Sequence, residues 1–156
     1  MKAVALTRYL PITDPESLVD VTLADPKPTG RDILVRVAAV SVNPVDTKQR
    51  ASNSKVEAQP RVLGWDAAGE VTAVGSDATL FKPGDEVYYA GDITKPGSNS
   101  ELQLVDERIV AIKPKSMDFA QAAAIPLTAI TAWEAYFDRM KIDLAGKHRG
   151  ARLLII

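Results

Sequence analysis

The chain has 156 residues, 46% of them hydrophobic, with 19 Lys and Arg against 20 Asp and Glu for a formal net charge of −1. This composition supports a packed core, excludes a disordered chain, and offers no Lys/Arg cluster for a nucleic acid. With no cysteine and one histidine, His148, it also excludes disulfides, thiolate metal sites and His-rich metal sites.

Met1 to Thr7 lacks the long apolar run of a signal peptide and reads as a strand over residues 2–7. Tyr9 to Ser17, with Pro11 and Pro15, is a loop. Val19, Val21 and Leu23 alternate with polar residues, the period of a half-buried strand over 18–23. Pro26 to Gly30 is a turn. Residues 33–42 form the strongest predicted strand, with Ile33, Val35 and Val37 on one side. Asn43-Pro44 breaks it, and 45–50 fits a short helical turn. Residues 51–61 are polar and without pattern, so a surface loop is expected.

Val62 and Leu63 end an extended segment, and Val71 and Val74 belong to the next strand. Gly64 and Gly69 mark places where the backbone turns tightly or approaches another group. Trp65 and Asp66 lie between these glycines. On residue type alone, Trp65 is core or cleft wall and Asp66 a turn hydrogen-bonder. Pro83-Gly84 sits at the centre of a type II turn. Residues 86–90 form a strand on which Tyr88 and Tyr89 alternate, so at most one of them faces a cleft. After a loop at 92–100, strands are expected at 102–105 and 109–112. Many short strands at close spacing predict a closed or partly closed barrel.

The character changes after Lys113-Pro114. Ser116 or Asp118 caps a short helix through Ala124, and Pro126 opens a second helix. Ile130, Trp133, Phe137 and Met140 share one face of that helix. The longest largely apolar stretch, Ala122 to Trp133, has 12 residues, short of the roughly 20 that span a bilayer. A cytoplasmic protein is expected, with no membrane and no nucleic-acid partner. Ala151 to Ile156 reads as a strand of the kind a parallel sheet buries on both faces. Ending there would leave an apolar edge, so the expectation is a piece of a longer chain. That edge favours self-association, including a homodimer.

Five landmarks occur in order: Ser41-Val-Asn-Pro-Val-Asp-Thr47, Gly64-Trp-Asp-Ala-Ala-Gly-Glu-Val71, Phe81-Lys-Pro-Gly-Asp-Glu-Val87, Gly97-Ser-Asn-Ser-Glu101 and Ala122 to Trp133. Together they resemble the medium-chain dehydrogenase/reductase superfamily, in particular its quinone-oxidoreductase branch and the zinc-type alcohol-dehydrogenase-like proteins. The resemblance implies a mainly β fold with α elements. Residues 1–125 would form a GroES-like, partly open β-barrel carrying the substrate side. Residues 126–156 would supply the opening helix and first strand of a truncated Rossmann domain, whose phosphate loop would begin beyond Ile156. No Gly-x-Gly-x-x-Gly follows a strand within the sequence, so this chain alone is expected to bind a dinucleotide poorly.

The resemblance also speaks to cofactor and site. Zinc-dependent relatives place a Cys where this chain has Asn43 and a His where it has Trp65. The four-cysteine structural zinc lobe is missing too. An amide is a poor replacement for thiolate, and indole offers no lone pair. No zinc is expected. The implied reaction is hydride transfer from NADPH, or NADH, to a quinone or an α,β-unsaturated carbonyl, with the fragment itself inactive. Asn43 and Asp46 are the implied catalytic and cofactor residues. Asn43 would donate to the substrate oxygen or to the cofactor ribose, and Asp46 would accept from a ribose hydroxyl or orient its neighbours. Thr131 would touch the nicotinamide carboxamide. Lys48, where many relatives have Tyr, would line the substrate pocket with Trp65 and Tyr89. The alternative is a standalone GroES-like binding module without chemistry.

Overall fold

In the computed structural model, residues 1–51, 54–143 and 145–154 are described. The strands β1 (Lys2–Arg8), β2 (Val19–Thr22), β3 (Asp32–Ser41), β4 (Val56–Val62), β5 (Asp66–Val74), β6 (Glu86–Ala90), β7 (Leu102–Asp106) and β8 (Val110–Ile112) form two open antiparallel sheets. The first has the order β2-β1-β4 and the second β7-β3-β5-β6-β8. The segment Asn99–Glu101 joins them. Its Asn99 carbonyl accepts from Val4 N–H at 2.9 Å, and its Glu101 carbonyl accepts from Val37 N–H at 3.0 Å. This is the mainly β, partly open GroES-like arrangement expected from the sequence.

The main core lies on one face of the larger sheet. It consists of Ile33, Val35, Ala67, Val71, Val87, Tyr89 and Val105. Ile33 and Val35 are buried because alternation on β3 turns them inward together. Gly69 permits the close pairing of β3 and β5, since a Cβ there would sit 2.2 Å from the Arg36 carbonyl oxygen. Gly64, at φ +102°, supplies the sharp entry into β5. The predicted turn at Lys82–Asp85 closes with a 3.1 Å hydrogen bond from Asp85 N–H to the Lys82 carbonyl.

Two expectations need correction. Most of the segment 51–61 expected as a loop is β4, which among the described residues pairs with β1 alone. Its partner-free edge tolerates Pro60, and its mixed side chains gave no alternation to read. Ser52 and Asn53 of that expected loop lie outside the described residues. The strand expected at 151–156 is not formed over Ala151–Leu154, where the described residues present no neighbouring strand. The rest of that prediction, Ile155 and Ile156, lies outside the described residues.

The helical part follows the sequence more closely. The turn expected at 45–50 is a full helix, α1 (Pro44–Ala51). Asp118, rather than Ser116, caps α2 (Phe119–Ala123), in a capping box with Gln121. The helix α3 (Pro126–Trp133) continues as a π-helical turn over Glu134–Arg139. The apolar face it carries is uncovered, with Trp133 58% exposed and its ring 4.5 Å from that of Phe137. Among the described residues no helix is long and apolar enough to cross a membrane.

Candidate active site

The site is built where three elements begin or end. β3 and β5 run antiparallel with Ser41 opposite Asp66, so the end of β3 lies beside the start of β5. Asn43 follows β3 directly and occupies the N-cap position of α1, with Pro44 at its first turn. Asp46, three residues on, accepts from Asn43 N–H at 2.7 Å, while Asp46 N–H donates to the Asn43 carbonyl at 3.0 Å. This is half of a capping box.

The other half is absent, because the Asn43 side chain is engaged elsewhere. Its Nδ2 donates to Asp66 Oδ2 at 2.8 Å. Asp66 is fully buried, and its second oxygen, Oδ1, accepts from Leu127 N–H at 2.8 Å. Leu127 is the second residue of α3. That helix starts with Pro126, which has no N–H, and the preceding Ile125 provides no side-chain cap. Asp66 therefore caps α3 from a distant strand and satisfies a backbone donor that would otherwise lack a partner.

Burial raises the carboxyl pKa of both Asp46 and Asp66. For Asp66 the Asn43 amide and Leu127 N–H oppose that rise, and the negative charge of Asp46 adds to it. For Asp46 the Asn43 N–H and its own N–H oppose it. The cluster can hold Asn43 in one fixed orientation, its backbone N–H on Asp46 and its side-chain amide on Asp66, and tie it to the start of α3.

Other predicted residues lie elsewhere. Trp65 is 5% exposed and packs with Leu6 and Leu63, with Tyr9, Leu18 and Val45 around them. It is a core residue on the stretch that enters the site. Its Nε1 is buried and has no hydrogen-bond partner among the described residues. Tyr89 is not in a substrate pocket: it is 2% exposed within the main core, and its hydroxyl donates to Gln103 Oε1 at 2.8 Å. Of the two alternating tyrosines on β6, it is the inward one. Lys48 is exposed on α1. Thr131 is exposed on α3, and its hydroxyl donates back to the Leu127 carbonyl at 2.8 Å. A groove of about 720 Å³, lined by Ala3, Val21, Val37–Val40 and Ser98–Glu101 among others, does not include the cluster.

The structure thus joins Asn43 and Asp46 with Asp66 and the Leu127 N–H. Asp66 is a cluster member on a strand and not a turn residue. Its signal in the sequence is a carboxylate set in an otherwise apolar run, and the signal for Leu127 is a Pro-started helix without its own cap. Asn43 and Trp65 carry an amide and an indole, neither of which is a thiolate or imidazole donor. Asn43 turns its N–H toward Asp66, Trp65 offers a buried N–H, and the described residues contain no group of three or more His, Cys, Asp or Glu able to hold a metal ion.

Residues 29–115 match the family model of the alcohol dehydrogenase GroES-like domain, and the chain belongs to that family. Its relatives and structural neighbours are of the medium-chain dehydrogenase/reductase superfamily. It is 51% identical over 132 residues to a zinc-type alcohol dehydrogenase-like protein of Staphylococcus aureus, covering 84% of this chain and 39% of that one. The crystal structure of a putative zinc-dependent alcohol dehydrogenase from Rhizobium etli matches with a TM-score of 0.85 and 61% identity, over 88% of this chain and 40% of the other. The quinone oxidoreductase of Coxiella burnetii matches with a TM-score of 0.76 and 30% identity, over 87% of this chain and 45% of the other. The chain therefore spans less than half the length of these proteins.

Proposed function

We propose that the chain is the substrate-side part of a zinc-independent oxidoreductase that uses NADPH to deliver hydride to a quinone or an α,β-unsaturated carbonyl. Residues 1–125 form the substrate-side domain, and residues 126–156 open the dinucleotide-binding part. The observation that carries this reading is the Asn43–Asp66 hydrogen bond. By the family resemblance, Asn43 stands where zinc-dependent relatives place a cysteine, and here its amide is committed to a neighbouring carboxylate. Trp65, where they place a histidine, is packed among Leu6 and Leu63 and turns no lone pair toward a metal.

The kinship with a quinone oxidoreductase supports the substrate class. Quinones and enones share a carbonyl conjugated to the carbon that receives hydride, so charge develops on oxygen and is stabilised by hydrogen-bond donors or water. Asn43 contributes a polar group to that site, fixed from behind by Asp46 and the buried Asp66. NADPH would supply the hydride when bound, and Asn43, Asp46 and Thr131 are the residues of this chain that would hold it.

The test uses protein expressed from the complete coding sequence, mixed with NADPH, a simple benzoquinone or enone, and a strong zinc chelator. NADPH oxidation that depends on the quinone or enone and is unaffected by chelator is expected. Activity lost with chelator and restored by zinc would overturn the zinc-free assignment. Neither oxidation nor binding of NADPH would favour the GroES-like binding module instead.

A further inference from the structure

The Asn43 amide has two ends, and only one is tied. Nδ2 donates to Asp66, whereas Oδ1 has no hydrogen-bond partner among the described residues and is not among their buried polar atoms left unpaired. Oδ1 is therefore the open end. The assignment of the two ends rests on a physical argument: a carboxylate is an acceptor only, so Asp66 faces the N–H of the amide and repels its oxygen. Asp66 cannot turn away, because Leu127 N–H holds its other oxygen at 2.8 Å. That donor belongs to a helix backbone and has no freedom to reorient.

We infer that Asp66 is a positioning residue. It makes Asn43 present a hydrogen-bond acceptor to the ligand, and it links that orientation to the docking of α3. The ligand group that fits is a donor, such as the carboxamide N–H or a ribose hydroxyl of a nicotinamide nucleotide, and not a substrate carbonyl oxygen. This assignment of the ligand rests on the proposed function; the orientation of Asn43 does not. On sequence alone Asn43 would donate, to the substrate oxygen or to the cofactor ribose; the bond to Asp66 ties up that donor, and the role left open is that of an acceptor toward the cofactor.

The test is a polarity swap. In Asp66→Asn, the new amide must keep its oxygen on Leu127 N–H, so its NH2 faces Asn43. Asn43 then flips and presents its own NH2 outward. In the double variant Asn43→Asp/Asp66→Asn, residue 66 donates to the carboxylate at 43, and an acceptor again faces outward. Hydrogen exchange of the side-chain amides and of Leu127 N–H, followed by NMR on the 156-residue chain, reads these states directly.

In the parent chain the Asn43 side-chain amide should be protected. In Asp66→Asn it should exchange about tenfold faster or more, with Leu127 N–H still protected. In the double variant the residue 66 amide should be protected. An Asn43 amide that exchanges freely in the parent would overturn the inference, as would one unaffected by Asp66→Asn. Simultaneous loss of Leu127 protection in Asp66→Asn would reduce Asp66 to a structural cap and also overturn it.

With protein from the complete coding sequence, NADPH affinity should fall between about threefold and tenfold in Asp66→Asn and recover in the double variant. Failure to recover, with the exchange pattern restored, would overturn the acceptor role. A parent protein that does not bind NADPH would refute the ligand assignment and the proposed function, while the exchange data would still decide the orientation of Asn43.

Discussion

Replacing Tyr89 by Phe tests whether this residue is a core hydrogen-bond donor or a pocket wall. The ring is 2% exposed among Ile33, Val35, Val71 and Val87, so Phe fills the same space. What changes is the 2.8 Å bond to Gln103 Oε1. Gln103 is 4% exposed and is held by its own Nε2, which donates to the Pro96 carbonyl at 3.2 Å, so its oxygen cannot swing out to water. Leaving a buried acceptor unpaired costs about 1–3 kcal/mol, against a net worth of about 1 kcal/mol for an ordinary hydrogen bond. A loss of about 2 kcal/mol is expected, which lowers the urea midpoint by about 1 M for a slope of about 2 kcal/mol/M.

The double variant Tyr89→Phe/Gln103→Met should recover part of that loss. It removes donor and acceptor together, and the Pro96 carbonyl, on an exposed residue, can turn to water. Burial also raises the Tyr89 phenol pKa far above its ordinary 10.0. As pH climbs past that value the unfolded chain releases its proton and the folded chain does not, so native stability falls. The phenylalanine variant lacks this alkaline loss, and the two unfolding midpoints should converge there. A Tyr89→Phe midpoint equal to that of the parent at neutral pH, with unchanged slope, would refute the buried bond.

Two further predictions concern stability. Glu107 is fully buried; one of its oxygens accepts from Thr79 and Leu80 N–H at 2.8 and 2.7 Å, and the other accepts from Arg31 at 2.7 Å. These donors, Leu80 N–H first, hold its carboxyl below its ordinary 4.5, so its stabilisation is present above that pH and lost as pH falls through the lowered folded value. Glu107→Gln should speed amide exchange at Thr79 and Leu80 and lower the denaturation midpoint at neutral pH, with the gap to the parent closing in acid; an equal gap at both pH values would refute the carboxylate's role. Gly69→Ala places a Cβ against the immobile Arg36 carbonyl and should destabilise by about 3 kcal/mol, read as a lower melting temperature, whereas an unchanged melting temperature would mean β3 and β5 are not so closely paired.

The parts of the fold that were legible in the sequence are those where one strand's own residues decide its placement. Ile33 and Val35 alternate because a single face of β3 is buried, and their spacing shows it. The β4 strand follows a different logic. Its Arg61 donates to the Tyr9 hydroxyl at 2.7 Å and to Gln49 Oε1 at 3.1 Å, and Tyr9 in turn donates to Glu57. Polar partners from α1 and from the loop after β1 support that strand, and no pattern inside 51–61 can announce them. Likewise the aromatic spacing of α3 identified a helix face, though not that it lies uncovered.

The candidate site divides along the same line. Asn43 and Asp46 lie three residues apart across a strand break, so their mutual contact is local and could be read from the chain. Asp66 acquires its role only when β3 and β5 pair in the observed register and when Leu127, 61 residues further on, arrives above it. An Asp in an apolar run and a Pro-started helix without its own cap each signal a missing partner, but neither says that the other supplies it. Asn43 shows the consequence most sharply. With Pro44 it breaks β3 as expected, and its backbone serves as the N-cap of α1, yet its side chain leaves α1 to bind Asp66. A cap whose side chain forgoes its own helix gives up a side-chain bond to its first turn, of the kind worth about 1 kcal/mol. The buried bond to Asp66 offsets it, and the result is an amide fixed between the strand pair and the start of α3. That trade stabilises no helix of its own; it makes physical sense as the means of fixing a polar group in one orientation.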